Sequence, residues 1–349
     1  MNIRIASLED RHEWDAYIGN YEGSSPYHLF GWGLAVKEAY RHELYYLMAE
    51  EDGHIVGLLP LVYMKPPLLK GELVSLPFCD QAGILAEDEA VRAALTAEAF
   101  ALAKKMSLKH VELREYASHD EDKGSQYRVT CRRDKVQMIL ALPGSSEGLL
   151  AGFKSKLRSQ IKKAERNGLT FSWLDISDFE KFYTVFSANM KDLGSPVHSK
   201  KWFLALIKAL GEAARVGVVY YGDIPVGTGF ILCHGKRVSI PWASTRRQYN
   251  YLSTNMLLYW NMLKFAADNG YGEFDFGRST PGEGTYKFKA QWGAEPCRLS
   301  WKYIHLEEKE RHEGSASKGY REIVEKIWQK MPLSLANTIG PVVRKYISL

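Results

Sequence analysis

At 349 residues the chain is long enough for two domains with substantial cores, which excludes a small scaffold held by disulfides. With 46% hydrophobic, 12% aromatic and 25% charged residues and no low-complexity tract, it is not a disordered chain either. The net charge is +5, and the whole excess sits between residues 151 and 170, where Lys154, Lys156, Arg158, Lys162, Lys163 and Arg166 stand against Glu165 alone.

From the N-terminus, Ser7-x-x-Asp10 reads as a capping box opening a helix. Arg4, Glu9, Asp10, Arg11, Glu13 and Asp15 leave no apolar core for a secretory signal in the first 25 residues, so the expected location is the cytoplasm. Strands are predicted at 44–49, 55–63, 73–76, 111–115 and 136–142 from their apolar runs and bounding turn residues. The basic segment is a predicted helix in which Phe153, Leu157, Ile161 and Ala164 form an apolar stripe. On it Lys154, Arg158, Lys162 and Arg166 recur every fourth residue, a row that suits a phosphate backbone such as that of tRNA and equally suits a solvated face.

The second half reads as a strand at 169–175, helices at 178–190 and 199–210, and strands at 215–221, 225–233 and 237–243. A helix at 254–268 stops at Asn269-Gly270, and strands follow at 273–277 and 297–304. A charged hinge at 307–318 leads to a helical tail with Ile323, Ile327 and Trp328 on one side. Packing back on the first half is the expected fate of this tail, and contact with the inner membrane surface is the alternative. No stretch approaches the roughly 18 apolar residues that span a bilayer. Cys79, Cys131, Cys233 and Cys297 are far apart and lack ligand-spaced histidines, so neither a zinc site nor a disulfide framework is expected.

The chain also repeats itself. Ser25-Pro26-Tyr27-His28 with Trp32 returns 170 residues later as Ser195-Pro196-Val197-His198 with Trp202, and Val56-Gly57 returns as Val226-Gly227. Val74-Ser75-Leu76-Pro77-Phe78 returns as Val238-Ser239-Ile240-Pro241-Trp242 at a spacing of 164. The expected architecture is therefore α/β (α+β), with two tandem domains at 1–145 and 146–305 related by internal duplication and a helical tail at 306–349. Each domain should hold a mixed sheet flanked by helices.

The element order, with a central antiparallel meander and a later helical crossover, resembles the GNAT acyltransferase fold. Two such units in one chain resemble the FemAB-type branch. The segments Gly71 to Phe78, Asn189 to His198 and Asp275-Phe276-Gly277-Arg278-Ser279-Thr280-Pro281-Gly282-Glu283-Gly284-Thr285-Tyr286-Lys287-Phe288-Lys289 with Trp292-Gly293-Ala294 look like FemAB-related proteins associated with exosortase and exopolysaccharide gene clusters. The resemblance implies an N-acyl or aminoacyl transferase acting on an amino-bearing peptidoglycan or exopolysaccharide precursor, small or lipid-linked. It implies no bound cofactor and a donor that is an aminoacyl-tRNA or an acyl thioester. A non-catalytic carbohydrate- or peptide-binding relative that kept the fold is the competing reading. DNA is not an expected partner.

Such a transferase must deprotonate an amine and stabilise an oxyanion. In this fold the donor lies where two central strands part, which directs attention to Trp242, Ser244, Tyr249 and Asn255 as substrate-binding residues and to Arg246 and Arg247 as phosphate ligands or solvated turn residues. No glycine lies between Gly235 and Gly270 to wrap a pyrophosphate, so free acetyl-CoA is disfavoured. The glycine-rich stretch from Gly277 to Gly293 carries Arg278, Lys287 and Lys289. Asp275 is expected as proton acceptor, with an ion pair to Arg278 as its alternative, and Lys289 or Arg278 as the oxyanion donor. Asp192 and His198 are placed at the rim, although the position His198 shares with His28 points first to a structural role, capping or bonding a turn, with catalysis as its alternative.

Overall fold

A computed structural model describes residues 1–67, 69–117, 127–306 and 317–348, with side chains in the last stretch described from 324 onward. The first half contains β1 (Asn2–Ile5), α1 (Arg11–Asn20), α2 (Phe30–Tyr40), β2 (Glu43–Glu51), β3 (His54–Met64), β4 (Glu72–Val74), β5 (Leu85–Ala86), α3 (Glu89–Lys105), β6 (His110–Tyr116), β7 (Arg128–Arg132) and β8 (Val136–Ala141). The second contains α4 (Ser146–Gly152), α5 (Ser155–Arg166), β9 (Leu169–Trp173), α6 (Phe179–Asp192), α7 (Lys200–Leu210), β10 (Ala214–Tyr221), β11 (Ile224–His234), β12 (Arg237–Thr245), α8 (Thr254–Asp268), β13 (Glu273–Ser279), α9 (Gly284–Ala290) and β14 (Glu295–His305). The tail forms α10 (Ser317–Lys330) and α11 (Leu333–Arg344).

The duplication is visible down to irregularities of the sheet. Helices α2 and α7, and strands β3 and β11, begin and end 170 residues apart. The β2–β3 ladder slips between Ala49 and Glu50, and the β10–β11 ladder slips at the same place, between Val219 and Tyr220. Gly57 and Gly227 have the same purpose. A Cβ on Gly57 would lie 2.5 Å from Val91 in the first turn of α3, and one on Gly227 would lie 2.6 Å from Thr254 in the first turn of α8. In each copy a strand without a side chain lets the crossover helix start close to the sheet.

The strands form one continuous mixed sheet in the order β1-β2-β3-β4-β6-β14-β8-β13-β12-β11-β10-β9, with β5 on β3 and β7 on β14. In each half one parallel pair is short and then opens: β4–β6 ends at Val74 with Glu112, and β12–β13 ends at Ser239 with Asp275. The last strand of each segment is exchanged. β8 pairs with β13 of the second half, and β14 runs from β8 at Glu295–Arg298 to β6 and β7 at Leu299–His305. The expectation that the strand at 136–142 completes the first sheet and the strand at 297–304 the second is thus corrected. Each completes the other's half.

The two copies meet where the equivalent helices α2 and α7 pack on each other. The equivalent residues Trp32 and Trp202, both fully buried, touch edge to face at 5.2 Å, and Trp242 lies parallel to Trp32 at 6.1 Å. The apolar core that surrounds them draws on both copies, from Trp14 and Phe30 in the first to Phe203 and Phe230 in the second. The tail, expected on the first half, touches both halves. Asn337 of α11 bonds Ser187 of α6, and Phe78 N–H and Arg114 Nη1 of the first half donate to Ser348 O at 2.7 and 3.2 Å. That carbonyl thus lies beside the opening, joined to the loop after β4 and to a side chain of β6.

Candidate functional site

The residues that carry chemistry gather where the second copy meets the loop following β4. Downstream of the opening in the second half, Gly277 turns with φ +76°, a conformation that any Cβ would strain. The turn is held from below by Asp275, which is 2% exposed and accepts from Gly277 N at 2.7 Å, from Gln137 Nε2 at 2.7 Å to each oxygen, and from Ser239 Oγ at 3.2 Å. Burial raises its pKa, opposed by those donors. The expected ion pair between Asp275 and Arg278 does not form. Arg278 N instead donates to Asp80 Oδ2 at 3.0 Å, its Nε lies 3.5 Å from Asp80 Oδ1, and its guanidinium sits 5.2 Å over Trp301.

The glycine-rich stretch, read from sequence as a loop, contains the helix α9. Phe288 and the following Trp292 anchor it in the second core, against Tyr259 and Phe153 respectively. Lys287 is consequently exposed and Lys289, two residues on, points inward. Lys289 is 8% exposed, and its Nζ donates to Gly277 O at 3.0 Å and Arg278 O at 2.8 Å. Burial lowers its pKa to about 8, against the pull of Asp80 and Asp275. An amine so placed has two N–H bonds engaged. Its neutral form keeps a free lone pair, and its protonated form a third N–H.

Asp275, Arg278 and Lys289 are therefore together. The other expected residues are not all part of this group. Trp242 belongs to the aromatic seam, 5.0 Å from Phe203 and 5.9 Å from His198. Ser244 is buried and accepts from Asn189 Nδ2 at 3.1 Å, and Tyr249 lies 6.2 Å from Tyr221 beyond the end of β12. Asn255 is half-buried in the first turn of α8, Arg246 is half-buried and Arg247 exposed. Asp192 ends α6 in solvent, 3.9 Å from Lys191. On α5, Lys154, Lys162 and Arg166 are exposed, whereas Arg158 does not join their row: its Nη1 turns back to Ala151 O and Phe153 O.

Sequence reasoning missed Asp80, Gln137 and Trp301. Asp80 follows the stretch Gly71 to Phe78 by two residues, so the signal ended just short of it.

His198 is structural. Its Nε2 accepts from Arg344 Nε at 3.1 Å, so its proton is on Nδ1 and is donated to Tyr40 Oη at 2.7 Å. His28 has the opposite tautomer: Nδ1 accepts from Ser25 N, and Nε2 donates to Gly83 O. Burial pushes His28 down to about 4 and His198 well below its ordinary value. Both must be charged as the chain unfolds in acid, so stability present above about pH 6.5 is expected to fall as the pH drops toward 4. Urea midpoints between pH 7 and 4.5 measure this, and a flat profile would contradict it.

Among the described residues no group of three or more His, Cys, Asp or Glu could hold a metal ion, and no helix is long and apolar enough to cross a membrane. Residues 151–290 match the family of acetyltransferase (GNAT) domains. No curated protein matches the chain. Among solved structures it resembles FemX with a TM-score of 0.67 at 15% identity, over 87% of this chain and 97% of that one. It resembles L-PGS from Bacillus licheniformis with a TM-score of 0.57 at 13% identity, over 99% and 98% of the two chains. A tandem GNAT protein from the clavulanic acid biosynthesis pathway aligns with a TM-score of 0.52 at 11% identity, over 88% and 100%.

Proposed function

We propose that this chain, a FemAB-like protein of the GNAT superfamily, transfers an acyl or aminoacyl group to the amine of a cell-envelope precursor, with the chemistry at Lys289. The observation that carries this reading is the hydrogen bonding of Lys289 Nζ to Gly277 O and Arg278 O in a buried place where the two copies meet. With those two N–H bonds spoken for, the neutral amine presents its lone pair to the attacking substrate amine and takes its proton. The resulting ammonium presents its third N–H to the oxyanion or the leaving group. Proton transfer of this kind contributes about 10²- to 10⁴-fold, and a lysine near pKa 8 is suited to both directions. Asp275, bonded on both oxygens, acts as a positioning residue that fixes the Gly277 turn. This supersedes its expected part as proton acceptor.

The second copy is favoured as the reacting half because Lys289 and the Gly277 turn belong to it, whereas beside the corresponding opening of the first Phe78 N and Arg114 Nη1 are bonded to Ser348 O. An envelope precursor as acceptor is in keeping with the FemX and L-PGS likenesses. For the donor, the connection from Arg246 to Thr254 has no glycine to approach a pyrophosphate, which favours an aminoacyl-tRNA or a thioester held by its acyl end over free acetyl-CoA. The exposed row Lys154, Lys162 and Arg166 offers a surface for the tRNA backbone.

The test is transfer itself. Aminoacyl-tRNA, longer acyl-CoA and acetyl-CoA are supplied in separate reactions with an amine-bearing envelope precursor, and the precursor is weighed by mass spectrometry. A gain of one acyl or aminoacyl residue with either of the first two donors is expected, and acetyl-CoA should be a poor donor. Binding of the precursor without a mass gain from any donor would favour the non-catalytic reading.

A further inference from the structure

Beside Lys289, four arginines from three separate parts of the chain converge on the loop that holds Phe78 and Asp80. In the sheet, Trp301 of β14 is the register partner of Arg114 on β6 and of Arg132 on β7, which puts all three side chains on one face. The two guanidinium carbons lie 4.7 and 5.5 Å from the indole centre. Arg278 approaches the same ring from the second copy at 5.2 Å. Arg344, from the end of α11, lies 5.5 Å over Phe78.

Among the described residues the negative charge is unevenly shared: Glu72 at the start of β4 faces Arg114, alongside the partners that follow. Glu112 accepts from Arg114 Nε at 2.7 Å, Asp134 from Arg132 Nε at 2.7 Å, and Asp80 faces Arg278. Arg344 has no carboxylate partner among the described residues: its Nε donates to neutral His198 and its Nη1 to Ile347 O. Arg114 is fully buried, yet its Nη2 has no hydrogen-bond partner. Burial brings Arg344 down to about 10, and the charges of Arg114 and Arg278 push it the same way, with Tyr40 opposing. Burial also lowers Arg278. Arg344, beside other cations and without a carboxylate partner among the described residues, is costly to withdraw from water, and an arriving anion would relieve that cost.

We propose that Arg114, Arg132, Arg278 and Arg344 form a seat for a phosphate group, to which the C-terminal tail contributes Arg344. A tetrahedral phosphate takes donors from several directions, as these arginines offer them, whereas a planar carboxylate is satisfied by one fork. The indole and phenyl faces of Trp301 and Phe78 hold the guanidinium planes in place. The proposal rests on the acyl-transfer reading only in taking the phosphate to be that of the acceptor, which would place the acceptor's amine arm toward Lys289.

Binding is measured without transfer, so failure here and failure of the transfer assay are separate results. The full chain is titrated calorimetrically at low salt with inorganic pyrophosphate, and with acetate as a carboxylate probe. Saturable pyrophosphate binding is expected. It should weaken at least tenfold in Arg344→Gln, weaken severalfold in Arg344→Lys, which keeps the charge but loses the fork, and stay unchanged in Lys105→Gln, an exposed lysine at the end of α3. If Arg344→Gln fails to fold, as judged by its thermal melt, Arg344→Lys alone decides. Equal pyrophosphate binding by wild type and Arg344→Lys, loss in Lys105→Gln instead, or acetate bound as tightly as pyrophosphate would overturn the proposal. Competition identifies the source of the phosphate: displacement by ADP indicates a soluble nucleotide-linked acceptor, and displacement by phosphatidic acid vesicles a lipid-linked one. Displacement by neither counts against the seat.

Discussion

Lys289→Met is expected to lower turnover by about a hundredfold or more while leaving the chain as stable at pH 7 as the wild type, or more so. The loss of turnover follows from removing the one group placed to accept the amine's proton and then donate to the oxyanion, each effect amounting to roughly two orders of magnitude or more. The gain in stability follows from burial. The pKa of Lys289 is lowered from 10.5 to about 8, so the ammonium is disfavoured in the folded chain relative to the unfolded one. Its contribution to stability is therefore present above about pH 10.5 and is lost as the pH falls toward 8. At pH 7 the charged form costs on the order of 3 kcal/mol. Methionine fills similar volume without that cost, offset by the loss of two hydrogen bonds at about 1 kcal/mol each. Turnover and urea midpoints on the same preparations check both halves. A variant that loses activity only because it unfolds would contradict the assignment.

Trp202→Ala is expected to cost about 3–5 kcal/mol, the range for deleting a large buried aromatic side chain. Trp202 is fully buried and in ring contact with Trp32, Tyr40, Phe78, His198 and Trp242. Those rings come from both copies and line a single core, so the variant should still unfold in one step. Tryptophan fluorescence and circular dichroism should give the same lowered midpoint. Two separate transitions, only one of them shifted, would show that the copies are held together more weakly than the shared core and exchanged strands imply.

The internal repeat, most of the strands and the helices of the second half that precede the glycine-rich stretch were legible because apolar periodicity, caps and turns are local. The predicted helix at 254–268 coincides with α8, and the meander strands differ from the observed ones by a residue or two at their ends. The exchange of β8 and β14 was not legible. An alternating strand states which face is buried but not which neighbour it will pair with, and either sheet would have accepted either strand. Helix α9 was hidden because Gly282 and Gly284 punctuate its start, and its anchors, Phe288 and Trp292, show their purpose only beside Tyr259 and Phe153.

The candidate site was legible in the same unequal way. Asp275, Arg278 and Lys289 lie within fifteen residues of one another on one glycine-rich stretch, and the structure brings them together. Trp242 and His198 were marked for substrate but belong to the seam between the copies, where tryptophan and histidine motifs repeat because packing repeats. Asp80, Trp301 and Arg344 reach the site from distant segments, through a loop of the first copy, an exchanged strand and the tail. No spacing in the chain encodes those approaches.

The central claim is that the meeting of the two copies contains a lysine whose free amine is far more populated near neutral pH than that of an ordinary lysine. Its most direct test is a titration of Lys289 by heteronuclear NMR in the full chain, with the resonance assigned by its absence in Lys289→Met. The account predicts a midpoint near pH 8, whereas a midpoint near the ordinary 10.5 would contradict it.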